Sequence, residues 1–136
     1  MTTFRIDSMP SFKSKFEKAV WDKLKRSFPT VKYEPDYFKY IQPAIERTYN
    51  PDFKTGRSKI YLEAKGKLDL ETRKKMVWFK QSCPDIRIIF IFMNPDVKIR
   101  KGSKTTYGDW ATKEGFEWLD SRKDWISDYK RLCKNV

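Results

Sequence analysis

Histidine is missing from all 136 residues. Its absence excludes Ser-His-Asp and Cys-His catalysis, imidazole acid–base chemistry near neutral pH and most zinc sites, so no zinc is expected. Cysteine is scarce. Cys83 and Cys133 stand far apart, and without histidine they build neither a structural zinc site nor a disulfide framework. They read as two reduced thiols of an intracellular protein. Glycine (5) and proline (7) are too few for a linker-rich or fibrous chain. No apolar run approaches the roughly 18 residues of a membrane-spanning helix. The longest, residues 88–93, falls far short, and no membrane partner is expected. Residues 1–10 carry Arg5 and Asp7 and no apolar stretch, unlike a signal peptide.

What is present is positive charge. Thirty Lys and Arg against 18 Asp and Glu give a formal net charge of +12. Hydrophobic residues at 39% still suffice for a core, so a disordered chain is not expected. The length is that of one domain. The basic residues are spread over residues 13–26, 65–80 and 98–104, the last stretch without an acid. An anionic-membrane binder more often concentrates charge in one amphipathic helix. Spread charge suits a folded surface that follows a phosphate backbone, so nucleic acid is the expected partner. Any catalysis must rest on carboxylates, lysines and hydroxyls, with a hard metal such as Mg²⁺.

Periodicity predicts a mixed α/β domain. Phe12, Phe16, Val20, Leu24 and Phe28 recur every four positions, which predicts an amphipathic helix with Ser11 as N-cap and Pro29 as stop. Residues 31–34 and 37–41 read as short strands, and 42–50, with Pro43, as a loop. Residues 59–64 read as a strand between Gly56 and Gly66, and 70–81 as a basic helix. Residues 85–93 are apolar on both faces, as in a central strand buried between layers. A basic loop, a helix at 107–113, a strand at 116–119 and a helix at 124–133 complete the chain. The five tryptophans, Trp21, Trp78, Trp110, Trp118 and Trp125, could stack on bases, but at this spacing most are expected in the core.

One constellation carries chemistry. Pro51-Asp52 is followed, after ten intervening residues, by Glu63-Ala64-Lys65. In a strand, residues i and i+2 share a face, so Glu63 and Lys65 project together and Asp52, just before the strand, can meet them. Two carboxylates can hold Mg²⁺, and an ammonium beside them can orient water or stabilise charge on a phosphate. Pro-Asp also begins ordinary turns, and Glu-x-Lys is a common surface pair. The adjacent basic helix and the overall charge favour the nuclease reading. Glu17, read alone, is a helix-surface acid paired with Lys13.

The motifs Lys13-Ser14-Lys15-Phe16-Glu17, Thr48-Tyr49-Asn50-Pro51-Asp52-Phe53, Leu62-Glu63-Ala64-Lys65-Gly66, Arg73-Lys74-Lys75, Lys101-Gly102-Ser103 and Thr106-Tyr107-Gly108-Asp109 occur in order. Over residues 12–118 the chain resembles the bacteriophage endonuclease I family of Holliday-junction resolvases, with its PD…(D/E)xK motif. The resemblance implies a single nuclease domain: an N-terminal arm (1–11), a core (12–118) and a C-terminal helix or tail (119–136). It implies a restriction-endonuclease-like mixed sheet flanked by helices, in a domain-swapped homodimer with residues 34–36 as a hinge. It also implies metal-dependent phosphodiester hydrolysis in four-way and other branched double-stranded DNA, with paired nicks. Asp52 and Glu63 match the metal-binding carboxylates, the Ala64 carbonyl a further ligand, and Lys65 the catalytic lysine. Glu17 matches a fourth acid that reaches the site of the other subunit. Mg²⁺ is the implied cofactor, with Mn²⁺ as substitute, and the cytoplasm of an infected bacterium the implied location. Ala64 stands where a Thr is usual, residues 68–70 differ, and the tail after Trp118 does not align. Lys67, Arg73, Lys74, Lys75, Lys101 and Lys104 are the candidate phosphate contacts, chosen by charge and nearness to the motif. A sequence-specific or nonspecific nuclease of the same motif, and a non-catalytic DNA-binding relative, are the alternatives. No string typical of a small RNA-binding module is found.

Overall fold

A computed structural model describes residues 9–42 and 45–134. The first helix, α1 (Lys15–Ser27), starts three residues later than Ser11 as N-cap predicts. Ser14 is the N-cap: its extended backbone leaves its hydroxyl to accept the Glu17 N–H at 3.1 Å, which satisfies an otherwise unpaired helix-start donor. Phe12 therefore packs from outside the helix, edge-on to Tyr33 and tilted against Trp21. Val20, Trp21 and Leu24 form the buried stripe. The helix ends at Phe28, directly before Pro29, where the proline ring disfavours a further helical residue.

Strands β1 (Lys32–Tyr33), β4 (Phe53–Lys54), β5 (Ile60–Lys65), β6 (Arg87–Phe92) and β7 (Glu117–Asp120) form one mixed sheet in the order β1-β4-β5-β6-β7. β1, β4 and β5 are antiparallel neighbours, and β5, β6 and β7 run parallel. The parallel pair β5 and β6 is bridged by α2 (Leu70–Ser82), which Asp69 caps. The sheet is covered on both faces, and its strands alternate between two cores. Leu62, Ala64, Ile89 and Ile91 face α1 and α4 (Trp125–Cys133). Tyr61, Ile88, Phe90 and Phe92 face α2 and α3 (Tyr107–Lys113). The apolar run at 88–92 is thus an interior strand buried on both sides, as its composition predicts. β7 continues to Asp120, and α4 buries Trp125, Tyr129 and Cys133 in the α1 core. Arg87 ties this helix down, bonding Glu117 and the Leu132 carbonyl at its last turn.

Residues 45–49, expected in a loop, form strand β3 (Ile45–Tyr49). It pairs antiparallel with β2 (Phe38–Gln42) from Phe38↔Tyr49 to Gln42↔Ile45. Their composition is strand-like, but Glu46, Arg47 and Thr48 are exposed and Tyr49 is buried, so no two-residue hydrophobic alternation marks the segment. Pro43 lies outside the described residues, as do residues 1–8 of the expected arm. The β2–β3 pair is a separate two-stranded sheet lying on α2. The Ile41 N–H donates to Ser82 Oγ at 2.9 Å, and Cys83 Sγ lies 3.4 Å from the Lys39 carbonyl.

Candidate active site

β4 is short. It meets β5 only at Phe53↔Leu62 and leaves the last residues of β5 open on that edge. Asp52, in the bend just before β4, takes up the free backbone: its Oδ2 accepts the Ala64 N–H at 2.9 Å. An extended residue points its N–H and C=O to the same edge, so the Ala64 carbonyl also faces Asp52. The neighbouring carbonyl of Lys65 is already bound to the Met93 N–H at 3.0 Å on the opposite edge. Glu63 and Lys65 project together on the α2 face, two residues apart. Lys65 Nζ lies 3.2 Å from Glu63 Oε2. Glu63 Oε1 accepts the Tyr49 hydroxyl at 2.5 Å and the Asp52 N–H at 3.3 Å.

Glu17 reaches the same place from the opposite face. It is 6% exposed, against 3% for Asp52 and for Glu63, and is not a surface acid. Its Oε1 accepts the Tyr33 hydroxyl at 2.7 Å and the Lys13 backbone N–H at 2.9 Å. The expected ion pair with the Lys13 ammonium is replaced by this backbone bond. Lys13 Nζ instead pairs with Glu34 at 2.8 Å. α1 supplies Glu17 to the site of its own chain.

Burial, together with the charges of Glu63 and Glu17, pushes the Asp52 carboxyl up to about 9, against the pull of the Ala64 N–H and the Lys65 ammonium. Burial opposes the charge on Lys65, but the Glu63 and Asp52 carboxylates outweigh it and hold the ammonium above the ordinary lysine value. Burial raises the Tyr49 phenol far above its usual range, and Glu63 adds to the effect, so Tyr49 remains a donor. The site thus holds more negative charge than Lys65 neutralises.

This donor set fits a hard divalent cation. Its ligating atoms are oxygens: the Asp52 and Glu63 carboxylates and the Ala64 carbonyl. A second charge near Asp52 is what would let it ionise at neutral pH. Among the described residues no three Asp, Glu or Cys side chains form a complete metal cage. Mg²⁺ does not need one, because it keeps several waters and takes one or two carboxylates.

The candidate phosphate contacts are less uniform. Lys67, Lys101 and Lys104 are exposed on loops. The Lys67 loop follows β5 and the loop of the other two follows β6, so both leave from the ends where Lys65 and Phe92 lie side by side. Lys74 is exposed on α2. Lys75 is half-buried, its ammonium 4.8 Å from the centre of the Tyr49 ring. Burial lowers its pKa, with the charges of Glu63, Lys65, Lys13 and Asp52 acting on it as well. Arg73 is engaged within the protein, with its guanidinium on the Leu68 and Ile99 carbonyls at 3.2 and 3.4 Å. It fastens the two loops that leave the site.

Sequence reading missed Tyr33, Tyr49 and Glu34. Glu34 has φ +49°, a left-handed conformation uncommon outside glycine. Its N–H donates to the Asp52 carbonyl at 2.6 Å while its carboxylate holds Lys13. It therefore joins the start of α1 to the Asp52 corner. For Tyr49, the Thr48-Tyr49-Asn50-Pro51-Asp52 string contains a signal, because it places a tyrosine three residues before the acid.

The phage endonuclease I family matches residues 1–133. "Endonuclease I" of Escherichia phage T7 is 30% identical over 128 residues, covering 93% of this chain and 85% of that protein. "Endodeoxyribonuclease 1" of Enterobacteria phage T3 is 32% identical over 110 residues, covering 81% of this chain and 72% of that protein.

Proposed function

The chain belongs to the phage endonuclease I family, and from that premise we propose that it is a structure-selective, Mg²⁺-dependent DNA endonuclease that resolves four-way and other branched DNA. One observation carries the chemistry: Asp52, Glu63 and Lys65 meet at the open edge of β5, held by direct hydrogen bonds. The fold reading that goes with it is restriction-endonuclease-like, with the acids at the rim of a mixed sheet.

Asp52, Glu63 and the Ala64 carbonyl would hold the cation, with Glu17 adding charge from α1. Mn²⁺ offers the same oxygen preference and is the expected substitute. When bound, the cation neutralises charge at the phosphodiester and makes water a better nucleophile. Lys65, fixed by Glu63, presents an ammonium that orients the attacking water and stabilises the charge developing on phosphate oxygens. Water adds to phosphorus, one P–O ester bond breaks, and the strand ends as a phosphate and a hydroxyl. Tyr49 fixes one oxygen of Glu63, leaving the other to Lys65. Lys67, Lys74, Lys75, Lys101 and Lys104 contact phosphates, and Arg73 shapes the surface they stand on.

Two nicks need two sites, and each chain offers one. A homodimer with two-fold symmetry supplies them. Exchange of α1 between subunits would preserve every bond that Glu17, Lys13 and Glu34 make within one chain. The structure-selective reading predicts Mg²⁺-dependent paired nicks in a labelled four-way junction and none in a linear duplex of the same sequence, with EDTA abolishing cleavage. Glu63→Gln should retain junction binding and lose cleavage by orders of magnitude. Equal cutting of both substrates would leave a less selective nuclease, and tight binding without cutting in any metal would leave a DNA-binding relative. Sedimentation as a monomer at micromolar concentration would refute the dimer.

A further inference from the structure

Between the β2–β3 hairpin and α2 lies a groove of about 570 Å³. Gln42, Arg47 and Thr48 line it from the hairpin, and Lys74, Lys75 and Trp78 from α2. The α2 residues share one helix face by their i, i+3 and i+4 spacing. Elsewhere on the surface, cations are commonly paired: Lys18 with Asp22, Lys39 with Glu46, Lys59 with Asp85. Within 4 Å of Arg47, Lys74 and Lys75 no carboxylate partner is found among the described residues, although Glu71 also lines the groove. The groove thus carries unneutralised positive charge beside an aromatic wall. Trp78 is half-buried, whereas Trp21, Trp110 and Trp125 are buried in the cores.

Its inner end adjoins the acids. The Lys75 ammonium lies over the Tyr49 ring, and the Tyr49 hydroxyl donates to Glu63. A cavity of this size accepts a small-molecule-sized unit rather than a duplex. Unpaired cations with an accessible aromatic side chain are what binds single-stranded nucleic acid: phosphate on the cations, base on the ring.

We propose that this groove is a single-strand subsite, which takes one unpaired nucleotide of a branched DNA next to the cleaved bond, its phosphates on Arg47, Lys74 and Lys75 and its base against Trp78. The proposal rests on the endonuclease reading and adds to it a physical source of selectivity. A nucleotide in an intact duplex must unstack and unpair to enter, whereas one at a branch point, where the duplex stack is interrupted, has less of that cost to meet, and an unpaired one least. Stacking is indifferent to base identity, so the subsite selects shape and not sequence.

The test uses the full chain with Ca²⁺ in place of Mg²⁺ and a four-way junction carrying 2-aminopurine at each nucleotide flanking the branch point in turn. One position is expected to change its emission on binding the unaltered protein and not on binding Trp78→Leu. Trp78→Leu should weaken junction binding at least five-fold, the low end of base–aromatic stacking, with duplex affinity within about two-fold of the original. Trp78→Phe, which keeps an aromatic face, should recover most of the loss. Arg47→Gln with Lys74→Gln should lower the slope of log affinity against log salt by about two. Equal losses on junction and duplex, or an unchanged emission response in a natively folded Trp78→Leu, would overturn the subsite while leaving cleavage of the junction intact. No cleavage of any DNA by the unaltered protein with Mg²⁺ would overturn the endonuclease reading and the subsite with it.

Discussion

Asp52→Asn should stabilise the metal-free protein while abolishing its cleavage. The substitution keeps an oxygen for the Ala64 N–H and removes the charge that burial and the neighbouring acids disfavour. The folded-state pKa, about 9, lies above the unfolded reference of 3.8. The folded form therefore binds the proton more tightly. Asp52 favours folding fully below the unfolded value, and this contribution is lost as pH rises from about 4 towards about 9. Within that window the loss approaches ~1.4 kcal/mol per pH unit. Between pH 5 and 8 the advantage of the Asn variant should grow by roughly 4 kcal/mol at most, about 14 °C in melting temperature for a domain of this size. Thermal melts of both proteins in EDTA at pH 5, 6.5 and 8 measure it, and the difference between them cancels the other titrating groups. Mg²⁺ should then narrow the gap at pH 8 by stabilising only the unaltered protein. A gap that stays constant or shrinks with rising pH would refute the claim that Asp52 is destabilised by its surroundings.

Tyr49→Phe leaves Glu63 Oε1 with only the long Asp52 N–H bond. It should cut the cleavage rate by ten-fold or more with junction affinity nearly unchanged, and equal single-turnover rates would remove Tyr49 from the site. Glu34→Ala removes the tie to the largely exposed Lys13 and should cost at most about 1 kcal/mol in urea unfolding, whereas Glu34→Gly, which also relieves the left-handed backbone, should offset part of that loss. Gly108→Ala places a Cβ 2.8 Å from the Trp118 ring and should destabilise by about 1–3 kcal/mol. A neutral melt would show that α3 shifts freely.

Much of this arrangement is legible in the chain. Glu63 and Lys65 share a strand face because a strand has period two, and residues 88–92 declare an interior strand by being apolar throughout. Glu17 is different. Its position three residues after Ser14 marks it as a helix-start acid, and only the packing of Phe12, Trp21 and Tyr33 turns that helix end towards Asp52. β3 was hidden because its ladder lies on α2 with a mostly exposed outer face, so hydrophobic alternation never appears in residues 45–49. Glu34 entered only as part of the implied hinge 34–36, since nothing in its type announces a positive φ. The spacing of 51–52 and 63–65 specifies the acids, but the shortness of β4, which frees the edge they occupy, belongs to the fold.

The contact between Cys83 and β2 gives the molecule a reporter of its own. Cys133, at the end of α4, is buried in the core, whereas Cys83 is half-exposed with its sulfur on the Lys39 carbonyl. Burial and Asp85 raise the Cys83 thiol pKa, which slows its reaction with alkylating reagents at neutral pH. Any excursion of the hairpin away from α2 uncovers that sulfur. Maleimide labelling of the native chain should therefore modify one thiol at a rate set by the lifting of β2. Slower labelling of a junction-bound sample would register the hairpin being held down, without the introduction of a single foreign residue.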